Sequence, residues 1–158
     1  MHDPASPHDL QWLLDTFIKE VPGVTHCLLA TPDGIKITQV NLSDDGADLT
    51  AAAVAGLNSL SSALGGALGV MHLPGGLKQV LVEDDRFSFY LMRVGQGLPE
   101  GHAMIGTDPL TVVTCLAVVA EPGADIGDIA YNASRLNASL AQYLRTPVRN
   151  TDAAVPGR

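Results

Sequence analysis

Apolar residues recur at helical spacing near the start of the chain, at Leu10, Leu13, Leu14, Phe17, Ile18 and Val21, which predicts an amphipathic helix. Ser6-Pro7-His8-Asp9 supplies its start: an N-cap serine, a proline at the first helical position and an acid three residues after the cap. Pro22-Gly23 ends it, and the period then changes. Thr25 to Ala30 is apolar nearly throughout, as in a strand covered on both faces. Gly34 to Val40 alternates, with Ile35 and Ile37 on one face and Lys36 and Thr38 on the other, as a more exposed edge strand does. Thr31-Pro32-Asp33-Gly34 has the residue types of a tight reversal, so these strands are expected to form a hairpin.

A second helix follows, with Asp45 and Asp48 as candidate caps and Leu49, Ala53, Leu57, Leu60, Leu64 and Leu68 spaced by three and four. Its other side, at Ala51, Ala55, Asn58, Ser59 and Ser62, is small and nearly uncharged, whereas a solvated helix face is normally rich in Lys and Glu. Two readings fit: a helix buried on both sides within one domain, or a subunit or partner interface. The second is favoured, because a chain this short has few elements to cover a second face.

Gly65 to Gly76 reads as a glycine-rich connection without the pattern of a phosphate-cradling loop. Lys78 to Glu83 and Arg86 to Val94 read as strands joined at Asp84-Asp85, with Phe87, Phe89 and Leu91 on one apolar face of the second. Gly95 to Pro109 reads as a loop, and Thr111 to Ala120, the most continuous apolar strand, as the sheet centre. Beyond Pro122-Gly123, Asp125 and Asp128 start a last helix whose stripe is Ile126, Ile129, Ala133, Leu136, Leu140 and Leu144. The expected domain covers residues 6–145, with disordered tails at 1–5 and 146–158.

The chain has 158 residues, 46% apolar and 16% charged, which fits one globular domain. Its formal net charge of −8, nine scattered basic residues and 4% aromatics argue against nucleic-acid binding, which needs clustered Lys and Arg or a stacking platform. No apolar run reaches the length of a membrane span, and MHDPASPHDL has neither a basic nor an apolar signal region, so a cytoplasmic location without membrane insertion is expected. Cys27 and Cys115 sit in apolar strand-like runs and read as small buried hydrophobes.

No catalytic, cofactor-binding or metal-binding residue emerges. His2, His8, His26, His72 and His102 are dispersed without ligand spacing. Ser43, Ser59, Ser61 and Ser62 lie at a cap or on a helix, and G-x-S-x-G is absent. The acids near Asp44, Asp84 and Asp125 are explained by caps and turns. Arg86, Arg93 and Arg135 are placed within regular elements, which gives little support to an inserted arginine.

The order helix, two strands, helix, three strands, helix covers Ser6 to Arg145. With LQWLLDTFIKEVPGVTHCLLATPDGI at the opening and CLAVVAEPGADIGDIAYNASRL at the close, the chain resembles the Roadblock family, the dynein light-chain Roadblock superfamily. It is most similar to the Roadblock component of actinobacterial conservons, whose operons also encode a sensor-kinase-like protein and a small Ras-like GTPase. The resemblance implies an α+β fold with a five-stranded antiparallel sheet in the order 2-1-5-4-3, the middle helix on one face and the terminal helices on the other. It implies a non-enzymatic homodimer formed through the middle helix and third strand, with Ala51, Ala55, Asn58, Ser59, Ser62, Lys78 and Val80 as interface candidates. The partners it implies are a second copy, a small Ras-like GTPase whose nucleotide cycle is modulated, and a sensor-kinase-like protein that could hold the complex at the membrane periphery. The competing expectation is a small-molecule sensor with a pocket between sheet and helices. The Gly95 to Pro109 loop is longer than the short turn of family members.

Overall fold

The structure, a computed structural model, describes residues 7–96 and 113–144. In chain order they form α1 (Pro7–Glu20), β1 (Val24–Ala30), β2 (Lys36–Val40), α2 (Asp44–Ala67), β3 (Gln79–Asp84), β4 (Phe87–Gln96), β5 (Val113–Ala120) and α3 (Ile126–Leu144). The strands make one antiparallel sheet in the order β2-β1-β5-β4-β3, as expected. Both tails, most of the expected Gly95 to Pro109 loop and the expected strand start at Thr111 lie outside the described residues. β4 itself runs on to Gln96, through a register shift after Val94.

Alternation along the central strands explains their continuous apolar runs. Cys27 and Leu29 belong to one core cluster and Leu28 and Ala30 to another, so every side chain of the run meets a covered face. The first cluster joins Leu10, Leu14 and Phe17 of α1 and Ile129, Ala133, Leu136 and Leu140 of α3 to Leu29, Leu116 and Val118. The second places Ala47, Ala51 and Val54 of α2 against Leu28, Leu91 and Ala117. The terminal helices therefore cover one face and the middle helix the other.

The hairpin between β1 and β2 forms at the expected residues. Gly34 N donates to Thr31 O at 3.0 Å and Thr31 N to Ile35 O at 2.9 Å, while the buried Thr31 hydroxyl accepts from Ile35 N at 3.0 Å. Ile35 lies in this turn rather than in β2 and is exposed, unlike Ile37, which packs against the core. Gly34 has φ +94, and a Cβ on it would lie 3.1 Å from the Ala55 Cβ and 3.2 Å from the Ala51 carbonyl oxygen. Both the left-handed backbone and the close approach of α2 require glycine there. Gly34→Val is expected to destabilise the protomer by about 1–3 kcal/mol, read as a fall of several degrees in Tm. An unchanged Tm would show that α2 does not rest on this turn.

The helix starts differ slightly from expectation. The cap of α2 is Ser43, whose hydroxyl accepts from Gly46 N at 3.0 Å. Asp45 lies in the first turn, and Asp48 binds Lys36 Nζ at 3.1 Å. At α3 the Asp125 carboxylate does accept from Asp128 N, at 3.0 Å.

Candidate functional site

Helix α2 is 24 residues long, about 36 Å at the α-helical rise, and its two sides are unlike. The leucine stripe whose spacing predicts the helix does not form its buried side. Ala47, Ala51 and Val54 are fully buried, whereas Leu49 and Leu68 are 73% exposed, Leu60 57% and Leu64 56%. The reason is distance. Small side chains let the helix axis come down onto the sheet and the Gly34 turn, and four leucines could not occupy that narrow space.

The interface candidates are divided accordingly. Ala51 belongs to the interior of the protomer and has no surface to offer a partner. Ala55 is half-buried beside Gly34. Asn58 is half-buried, donating to Val54 O at 3.0 Å with its amide 3.9 Å from the Cys115 sulfur. Ser59, Ser62 and Lys78 are exposed and Val80 is half-buried, and Ser62, two residues from both Leu60 and Leu64, lies across α2 from the leucine face. The exposed leucines are not among those candidates.

Beside the leucine face the sheet is incompletely covered. Strand β3 is the outermost strand and pairs only with β4 among the described residues, and Leu81 and Val82 on it are exposed. Leu49, Ala53, Leu57 and Leu60 form one wall, and Val82, Phe87, Phe89 and Val119 the floor, of an open groove of about 640 Å³. That volume is in the range of ligand pockets, but such pockets also bring polar groups together. Among the described residues Thr50 is the one polar residue lining this groove, and its hydroxyl donates to Gly46 O at 2.7 Å. Among the described residues the groove lacks the converging polar groups of a metabolite site, and it suits an apolar protein surface.

Charged groups stand outside this surface. Arg86 donates from Nε at 2.8 Å and Nη2 at 3.2 Å to the carboxylate of Asp84, which holds Asp84 below its ordinary pKa. Contrary to expectation, Arg86 lies in the turn between β3 and β4 rather than within a strand. Lys36 is held above its ordinary pKa, chiefly by its hydrogen bond to Asp48.

Among the described residues chemically competent groups do not converge. Among the described residues no three His, Cys, Asp or Glu side chains are placed to hold a metal ion. Cys27 and Cys115 are free and buried, and burial pushes both thiols up, away from the reactive thiolate. No helix among the described residues is long and apolar enough to cross a membrane.

The model of the Roadblock/LC7 domain matches residues 10–99. A Roadblock/LC7 domain crystal structure from Streptomyces avermitilis is 30% identical, covering 86% of this chain and 98% of that one, with a TM-score of 0.67. The gliding protein MglB of Thermus thermophilus is 17% identical, covering 89% of this chain and 92% of that one, with a TM-score of 0.65. MglB of Myxococcus xanthus is 14% identical, covering 94% and 98%, with a TM-score of 0.67. These two share the fold. No curated protein matches the chain by sequence.

Proposed function

The chain belongs to the Roadblock/LC7 domain family, and from that premise we propose that it is a homodimeric, non-catalytic regulator. In this reading it binds a small Ras-like GTPase and modulates its nucleotide cycle within a sensor-kinase-linked complex, in the cytoplasm or held at the membrane through a partner. The observation that carries the reading is the exposed leucine face of α2 beside the open edge of β3. These are the two elements through which Roadblock domains usually dimerise. Contiguous apolar surface of this kind marks an interaction site in a water-soluble protein, and here it is uncharged along the whole groove.

Dimerisation leaves the outer surfaces of both protomers available for other proteins, so the dimer serves as a platform on which GTPase and kinase-like partners meet. With Arg86 tied to Asp84, an effect on nucleotide hydrolysis is assigned to reshaping of the GTPase rather than to an inserted arginine. The test is a pull-down of a small Ras-like GTPase, loaded with GDP or with a non-hydrolysable GTP analogue, alongside light scattering of the protein alone. A dimer that retains the GTPase in at least one nucleotide state is expected. Absence of retention in both states rejects the GTPase partner, and a monomer at tens of micromolar rejects the dimer.

A further inference from the structure

The outer edge of β3 carries enough information to fix how a second copy joins it. Arg93 N donates to Lys78 O at 2.8 Å, and Asp84 pairs with Phe87 across the turn at Asp85-Arg86. Hydrogen-bonded pairs alternate along an antiparallel ladder, so Lys78, Val80, Val82 and Asp84 direct their main-chain groups to β4. Gln79, Leu81 and Glu83 direct theirs outward, where no strand among the described residues pairs with them. Side chains alternate in the same way. Val80 and Val82 lie on the α2 side, and Gln79 lies on the other, where its side-chain oxygen accepts from the Tyr90 hydroxyl at 3.2 Å.

Resting on the dimer reading above, the geometry points to a two-fold axis at Leu81, with Lys78 of each protomer opposite Asp84 of its partner as the pair that sets the register. In a symmetric antiparallel pairing, residue numbers that face each other have a constant sum. Centring on Val82 sets Lys78 opposite Arg86, like against like. Centring on Val80 sets Lys78 opposite the apolar Val82 and leaves only Gln79 and Leu81 of the outward residues paired within the strand. Centring on Leu81 pairs Leu81 with its own copy and Gln79 with Glu83, so that every outward residue of β3 exchanges main-chain hydrogen bonds. It also sets Val80 against Val82 on the face of the leucine groove, and lysine against aspartate at both ends. The occupant of this edge is therefore a second copy of the chain.

Val80 and Val82 would form a non-hydrogen-bonded pair, with Cα atoms about 4.5 Å apart, within reach of a disulfide. Each would stand about 8 Å from its own symmetry mate, outside that reach. Val80→Cys and Val82→Cys proteins are made separately, mixed, allowed to exchange subunits and oxidised. Cys27 and Cys115 are buried and stay silent. The mixture is expected to give a disulfide-linked dimer and neither protein alone to do so. In parallel, Lys78→Glu and Asp84→Lys are each expected to raise the dimer Kd about tenfold, and their mixture to restore it, since the mixed pair regains opposite charges at both ends. A dimer by light scattering that lacks the mixture-specific cross-link overturns this register and leaves the dimer standing, whereas a monomeric wild-type protein overturns both.

Discussion

Leu60→Glu is expected to convert the protein from dimer to monomer without unfolding the protomer. Leu60 is 57% exposed in the isolated chain, so a charged side chain there remains hydrated and changes protomer stability by no more than about 0.5 kcal/mol. In the proposed dimer the same position is covered. Two-fold symmetry applies the substitution twice. Losing two buried leucines, each contributing about 1.5–3 kcal/mol, is expected to weaken association by roughly a hundredfold to ten-thousandfold. Light scattering across a concentration series reads the first effect and a thermal melt of the monomer the second. A Leu60→Glu protein that remains dimeric at the wild-type concentration would remove α2 from the interface.

Ala51→Glu is expected to have the opposite signature. Ala51 is fully buried between α2 and the sheet, with its carbonyl oxygen 3.2 Å from where a Gly34 Cβ would stand. A glutamate there must either bury an unpaired charge or push the helix off the sheet. The first costs several kcal/mol, and the second gives up the alanine contacts that form this layer. Against a total stability of 5–15 kcal/mol, typical of such domains, the protein is expected to be unfolded or insoluble at every concentration. A soluble, folded Ala51→Glu monomer would show instead that this side of α2 faces outward. The two substitutions, about two and a half helical turns apart and so on opposite sides of α2, thus separate a residue that builds the protomer from one proposed to join two protomers.

Much of the fold was legible because local signals and long-range packing agreed. The apolar runs ending at Ala30 and Ala120 announced strands covered on both faces, and they do become the interior neighbours β1 and β5. Thr31-Pro32-Asp33-Gly34 announced a tight turn, and Gly34 indeed takes a positive φ. The order of the strands in the sheet came from resemblance rather than periodicity, since pairing partners far apart in the chain leave no local trace. The cap of α2 was misplaced by two residues because serine and aspartate serve equally well at that position, and three of them occur in a row from Ser43.

The candidate site was only half legible. Spacing established that α2 has one leucine side and one small, nearly uncharged side, and that neither has the charge expected of a solvated face. It did not establish which side goes inward. Size suggested that the leucines should, because burying them stabilises more. What reverses this is the separation between helix and sheet, which is set by elements remote in sequence. The glycine of the β1–β2 turn and the backbone of α2 meet closely, and only alanine-sized side chains fit between them. Sequence periodicity therefore determined that the helix has two apolar sides; the tertiary approach of α2 to the sheet decided which of them is the core and left the larger one exposed.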